Sequence, residues 1–213
     1  MTIKERYRRT IEYFLLNHPV AETELKYQNP FELIVSVILS AQCTDKRVNM
    51  IAPALLKKYP DAESMAMAEP EDIYEYIKSC TYPNSKAKYL SGMSKMLVNE
   101  FNGKVPGEPE LLQRLPGVGR KTANVVASVV FKVPVMAVDT HVFRVSHRIG
   151  LVKDAKTPLS VELQLSKHIP QDLINQAHHW LILHGRYVCK ARNPLCSQCG
   201  LNDFCKYFLN KMK

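Results

Sequence analysis

The stretch Leu115-Pro116-Gly117-Val118-Gly119-Arg120-Lys121-Thr122-Ala123 decides how this chain is read. Two glycines bracket one apolar residue, and a basic pair follows at once. Glycine has no Cβ, so the pair permits a tight backbone turn. Val125, Val126, Val129 and Val130 continue beyond it at helical spacing. A helix that starts where a turn ends directs its first N–H groups outward and forms an anion site. Gly117, Val118, Gly119 and Arg120 are therefore read as a grip on one backbone phosphate of a nucleic acid, which fixes position without reading bases. The other reading is a corner between two helices in which glycine only bends the chain.

Lys121 sits in the first turn of that helix. An ordinary lysine is protonated near neutral pH and does not attack. The positive pole of a helix N-terminus disfavours a second positive charge, and burial acts in the same direction. Such a lysine could supply neutral amine for a Schiff base with a sugar carbon. Spacing alone favours the simpler role of a point charge on phosphate, and both roles stay open at this level. Asp139 poses a similar choice. It closes the short apolar run Val135-Met136-Ala137-Val138 and precedes a helix. It can cap that helix, or stabilise a developing cation and move a proton; the two are not exclusive.

Outward from these positions the pattern is helical almost throughout. Tyr7, Ile11, Phe14 and Leu15 mark a first amphipathic helix. Asn29-Pro30 reads as a cap with a first-turn proline, and Phe31, Leu33, Ile34, Val37, Ile38 and Ala41 follow as a helix apolar enough to be central. Further helices are expected over Thr44 to about Lys58, from Pro70, and from after Asn84 to Asn102-Gly103. A short one starts at Pro109, and the helix after the glycine turn reaches about Phe131. Pro134 to Val138 is expected to be extended. Beyond it lie a helix with Val142, Val145 and Ile149 that stops at Gly150, one over Pro158–His168 and one over Asp172–Val188. Strand signals are too few for a sheet, so the fold class is all-α.

The balance of 29 Lys and Arg against 20 Asp and Glu gives a net charge of +9. That favours a polyanionic partner, nucleic acid before an acidic membrane surface. Met1 to Thr10 is polar and basic, without the apolar core of a signal peptide. No apolar run approaches the ~18 residues that span a bilayer. A cytoplasmic protein without membrane association is expected, and disulfides are rare there. The six cysteines then need another explanation. Cys43 and Cys80 are isolated in sequence and are expected to be buried free thiols. Cys189, Cys196, Cys199 and Cys205 are separated by gaps of six, two and five residues. Zinc sites usually use two close pairs, and only Cys196–Cys199 is one. A four-cysteine iron–sulfur cluster tolerates other spacings, so the chemistry favours a cluster over zinc and a metal over disulfides. Lys190 and Arg192 lie in the six-residue gap, where they face phosphate or water.

Together, Leu39-Ser40-Ala41-Gln42, Leu115 to Val126, Val138-Asp139-Thr140-His141-Val142-Phe143-Arg144-Val145, His179-Trp180-Leu181-Ile182-Leu183-His184-Gly185-Arg186 and the cysteine gaps closely resemble the endonuclease III family. These are bifunctional DNA glycosylases and abasic-site lyases of the helix–hairpin–helix superfamily. The similarity runs from about Tyr7 to Cys205. It implies two helical lobes with a DNA-binding cleft between them. Residues 21–132 would form a helical bundle with the helix–hairpin–helix at about 108–127. Residues 1–20 and 133–213 would form a lobe in which Cys189, Cys196, Cys199 and Cys205 hold a [4Fe–4S] cluster.

The resemblance also implies roles. Lys121 matches the nucleophile and Asp139 the catalytic acid residue; relatives that only remove mispaired adenine lack the lysine. The implied partner is double-stranded DNA carrying oxidised pyrimidines or abasic sites, bound by a monomer. The damaged nucleotide is flipped out, Lys121 displaces the base at C1′, and β-elimination breaks the strand 3′ to the lesion. Gln42 matches a residue that helps fill the gap left by the flipped base. Tyr82 occupies a second wedge region where relatives often carry leucine, and an aromatic ring can also wedge between bases. The loop with Lys190 and Arg192 is less basic than in many relatives.

Overall fold

The computed structural model describes residues 1–212. In order, its helices are α1 (Ile3–Asn17), α2 (Pro30–Ser40), α3 (Asp45–Lys58), α4 (Ala62–Ala66), α5 (Pro70–Ile77), α6 (Pro83–Phe101), α7 (Pro109–Leu112), α8 (Arg120–Val130), α9 (Thr140–Ile149), α10 (Pro158–His168), α11 (Ile174–Tyr187) and α12 (Lys206–Lys211). Short 3₁₀ turns cover Gln171–Leu173 and Cys196–Gln198, and no strand occurs among the described residues. The all-α class expected from the sequence is the one adopted. The chain divides into two compact units, Thr23–Val133, and Met1–Glu22 with Pro134–Lys213.

In the unit Thr23–Val133, α2 is the central helix. Asn29 caps it by accepting the Glu32 N–H at 2.9 Å, and Pro30 occupies its first turn. Eight of its eleven residues are buried, which is why its apolar residues cover most of its surface. It packs against α3, α6 and α8, while α6 packs against α4 and α5. Leu33, Ile34, Leu39, Leu55, Met65, Ile73, Ile77, Leu90, Met93 and Leu97 are fully buried, and each such side chain contributes about 1.5–3 kcal/mol of transfer free energy. Ala41, expected within α2, lies just past its end and is exposed. Helix α4 has no counterpart in the sequence reading. It is too short to show a period and is set by a capping box between Asp61 and Ser64.

The end of α2 is held by an unusual donor. Lys86, in the first turn of α6, is buried, and its Nζ donates to the carbonyls of Leu39 at 2.7 Å and Ala41 at 2.8 Å. Carbonyls at a helix C-terminus lack intrahelical partners and attract a cation. Burial lowers the Lys86 pKa, and the two charge-assisted bonds offset that cost.

The other unit joins α1 to the last third of the chain. Phe14 stacks on Trp180 with ring centroids 5.5 Å apart and planes 10° from parallel. The Trp180 indole N–H donates to the His18 carbonyl at 2.8 Å. Tyr7, Phe14, Val142, Val145, Ile149, Val161, Leu165, Trp180 and Leu181 belong to one apolar core. Leu15, expected on the buried face of α1, is 41% exposed. The buried stripe is Tyr7, Thr10 and Phe14, and Leu15 lies about 100° further round the helix. Helices α9 and α11 pack closely at Gly185, where a Cβ would come within 2.8 Å of the His141 Cβ.

Candidate functional site

The glycine turn lies in the unit Thr23–Val133. Leu115 and Val118 are buried on either side of it, and the Val118 N–H closes it on the Leu115 carbonyl at 3.0 Å. Its two glycines are there for different reasons. Gly117 has φ +79°, and a Cβ on it would meet the Tyr89 Cβ at 2.7 Å. Gly119 has an extended backbone as the N-cap of α8, and a Cβ there would meet nothing within 4 Å. Gly117 is thus required by the fold, whereas Gly119 borders open space. Gly117→Ala is expected to cost more than about 2 kcal/mol. Gly119→Ala should change stability by less than about 1 kcal/mol, because a poorer cap is offset by a stiffer unfolded chain. Thermal unfolding of the two variants checks this contrast. Beyond the turn, Ala123, Val126 and Ala127 bury one face of α8, while Arg120 and Lys121 are exposed in its first turn.

Gln42 and Tyr82 border the same cleft as Gly117. It has a volume of about 250 Å³, and its walls include Ala41, Ser85, Lys86 and Tyr89. Gln42 (φ 54°) and Tyr82 (φ 56°) both adopt left-handed backbone conformations. Outside glycine such a conformation costs about 1–3 kcal/mol and collects at functional sites. Thr81 Oγ1 donates to the Gln42 carbonyl at 2.8 Å and ties the two loops together. Tyr89 as a cleft residue was not legible beforehand, because neither its type nor its spacing separates it from surface residues of α6.

Cys43 and Cys80 flank this cleft region. They are isolated in sequence but not in space, since their sulfurs lie 3.7 Å apart. Cys80 is buried as expected, whereas Cys43 is only half-buried. Burial, then the Cys43 hydrogen bond, pushes the Cys80 thiol up to about 11.

Asp139 belongs to the other unit. It caps α9: its Oδ1 accepts the N–H groups of His141 and Val142, each at 2.8 Å. The preceding Met136-Ala137-Val138 is buried and lies outside any helix, and the Ala137 carbonyl is 2.8 Å from the His178 Nδ1. The carboxylate is therefore held half-buried at a fixed point.

Cys189, Cys196, Cys199 and Cys205 line one apolar cavity together with Ile149, Val188, Leu201 and Phe208. Among the described residues, no three His, Cys, Asp or Glu side chains converge closely enough to hold a single metal ion. Four thiols around a cavity, rather than around a point, suit a cluster better than one tetrahedral zinc. Burial pushes the Cys199 thiol up to about 11 and the Cys205 thiol upward as well. Thiolates there need a polycationic centre to neutralise them. Arg148 reaches the loop between the first two cysteines, donating to the carbonyls of Lys190 at 2.6 Å and Ala191 at 3.0 Å. His184, which the sequence reading did not single out, lies with its Nε2 3.6 Å from the Cys199 sulfur. Burial lowers its pKa to about 4, so it packs there as a neutral ring. Lys190 and Arg192 are exposed on the loop.

Residues 35–171 match the model of the HhH-GPD superfamily of base excision DNA repair proteins. Residues 189–205, which begin and end on the outer cysteines, match the iron–sulfur binding domain of endonuclease III. The chain is 48% identical to endonuclease III of Rickettsia conorii over 199 residues, covering 93% of this chain and 94% of that protein. It is 45% identical to endonuclease III of Escherichia coli over 194 residues, 90% of each chain. A solved structure of a trapped covalent intermediate of endonuclease III with DNA, an estranged-adenine complex, superposes with a TM-score of 0.95 at 41% identity, covering all of both chains. The chain belongs to the endonuclease III family, the DNA glycosylase and abasic-site lyase branch of the helix–hairpin–helix superfamily of base excision DNA repair proteins, and carries that family's iron–sulfur binding domain.

Proposed function

We propose that the protein binds double-stranded DNA, removes oxidised pyrimidines through a lysine Schiff base and cleaves the strand 3′ to the lesion. The observation that carries this reading is the glycine turn, which ends on an open Gly119 and presents an exposed lysine one residue into α8. The match to a relative trapped covalently on DNA supports the same reading. In it, the backbone from Gly117 to Arg120 holds one phosphate. Gln42 and Tyr82 enter the stack vacated by the flipped nucleotide, and Lys190 and Arg192 add charge contacts. The residue pair Lys121 and Asp139 does the chemistry.

The Lys121 amine attacks C1′ as the glycosidic bond breaks, and the base leaves with the bonding electrons and takes up a proton. The ionised Asp139 stabilises the positive charge that develops on the sugar. The attacking nitrogen then loses one proton, the C1′–O4′ bond breaks as the ring oxygen takes up a proton, and a protonated Schiff base, an iminium, is left. That cation acidifies the C2′ proton; its loss expels the 3′ phosphate, and water releases the lysine. Cys189, Cys196, Cys199 and Cys205 would hold the iron–sulfur cluster, which would supply one-electron redox chemistry when bound.

A panel of duplexes tests the substrate. Thymine glycol and other ring-saturated pyrimidines should release base and yield strand breaks, while undamaged, mismatched and alkylated duplexes should not. Base release confined to mismatches or alkylated bases would overturn the pyrimidine assignment. Gly119→Ala should weaken binding to an abasic-site duplex about tenfold while the fold persists. The cofactor has its own check. The purified protein should be coloured, with about four irons per chain, and Cys199→Ser should lose both properties. A colourless protein containing zinc would refute it.

A further inference from the structure

We propose that Cys43 and Cys80 form a reversible disulfide under peroxide and that this modification weakens the grip on damaged DNA. The second half of the proposal rests on the DNA-binding reading above. The two residues are 37 positions apart, yet their sulfurs are 3.7 Å apart. A disulfide needs about 2.0 Å, so the sulfurs must close by roughly 1.7 Å, which side-chain rotation and a small loop shift can supply. Neither thiol belongs to the cysteine cavity of the C-terminal segment. Cys43 is half-buried and the more accessible to oxidant, while Cys80 is buried.

Their positions give the bond its consequence. Cys43 directly follows Gln42, and Cys80 lies two residues before Tyr82. Gln42 and Tyr82 are the two residues of this region in left-handed conformations, and both line the cleft. In the thiol form the two loops are joined by the bond from Thr81 to the Gln42 carbonyl and by the hold of Lys86 on Leu39 and Ala41. Hydrogen bonds of this kind can open and re-form when a nucleic acid enters. A covalent bridge drawing the two loops together cannot, so it narrows the cleft mouth and fixes two strained turns in one arrangement.

The chemistry balances with hydrogen peroxide as the oxidant. The Cys43 thiolate attacks one peroxide oxygen and the O–O bond breaks. Hydroxide leaves and becomes water, and Cys43 becomes a sulfenic acid. The Cys80 sulfur then attacks the Cys43 sulfur, the S–O bond breaks and a second water departs. Two thiols lose two electrons, and peroxide is reduced to two waters. A dithiol reductant reverses the bridge by exchange.

The test uses the cluster-loaded protein. It is titrated with hydrogen peroxide while the visible absorbance reports the cluster. Remaining thiols are then blocked with N-ethylmaleimide and the peptides mapped by mass. Affinity for a duplex with an abasic-site analogue is read by fluorescence anisotropy before oxidation, after it, and after dithiothreitol. We expect a linked Cys43–Cys80 peptide at doses that leave the absorbance intact. We also expect about a tenfold loss of affinity that dithiothreitol restores. Cys43→Ser and Cys80→Ser should each bind like the reduced wild type and form no linked peptide with peroxide; Cys80→Ser stops at a Cys43 sulfenic acid, and both variants keep their affinity. Both thiols still open to N-ethylmaleimide when the cluster begins to bleach would overturn the modification. A linked peptide with unchanged affinity would overturn its effect on binding. A reduced protein that does not bind the abasic duplex would count against the DNA reading instead, while the peptide map would still decide the disulfide.

Discussion

Lys121→Ala is expected to abolish the covalent complex that borohydride traps on abasic-site or thymine-glycol DNA. Strand cleavage should fall by roughly 10³-fold or more, as when a nucleophile is removed from a residue set that acts as a unit. Stability should change by less than about 0.5 kcal/mol, because the side chain is exposed and alanine suits the first turn of α8. Lys121→Arg separates the two roles the residue could have. Arginine keeps the charge that would hold a phosphate but offers no nucleophilic amine. If Lys121 attacks the sugar, the arginine variant binds DNA and is never trapped. Wild-type levels of cleavage in Lys121→Arg would sink the nucleophile assignment and leave a phosphate contact.

The second large effect is expected at Asp139, where a structural and a chemical role share one carboxylate. Its Oδ1 already accepts two backbone N–H groups at the start of α9. Asparagine is about as good an N-cap as aspartate. Asp139→Asn should therefore stay within about 0.5 kcal/mol of wild-type stability, yet lose the negative charge. Base release should fall by about 10²–10⁴-fold, the range for removing a positioned acid–base or electrostatic group. Asp139→Ala loses the cap as well and should cost about 1 kcal/mol more in unfolding. Equal activity in wild type and Asp139→Asn, measured as single-turnover base release, would reduce Asp139 to a helix cap.

Much of this architecture was legible because it is local. Asn29-Pro30 starts α2 through one cap bond and one fixed φ. Gly150 ends α9 with φ 90°, as a glycine at a helix stop suggests. The Asp139 cap follows from a few adjacent side chains. Helix α4 and helix α12, with five and six residues, escaped because so short a segment shows no hydrophobic period. Ala41 and Leu15 were misjudged for the same kind of reason: a side chain one position beyond a buried stripe looks apolar in sequence and faces water in space.

By itself, then, the sequence determined the helical class, the glycine turn with Lys121 in the first turn of its helix, the acid that opens α9 and the cysteine spacing. Each depends on neighbours within a turn or two, where backbone sterics and hydrogen bonding decide the outcome. Only the tertiary structure decided why Gly117 and Gly119 differ, since the distinction is made by Tyr89 packing against one and by empty space beside the other. It also decided that Lys86 is buried on the carbonyls of Leu39 and Ala41, that Gln42 and Tyr82 share a cleft, and that Cys43 meets Cys80. These pairings join residues about forty positions apart. Residue type and spacing carry no record of which loops the packing of α2 against α6 will bring face to face.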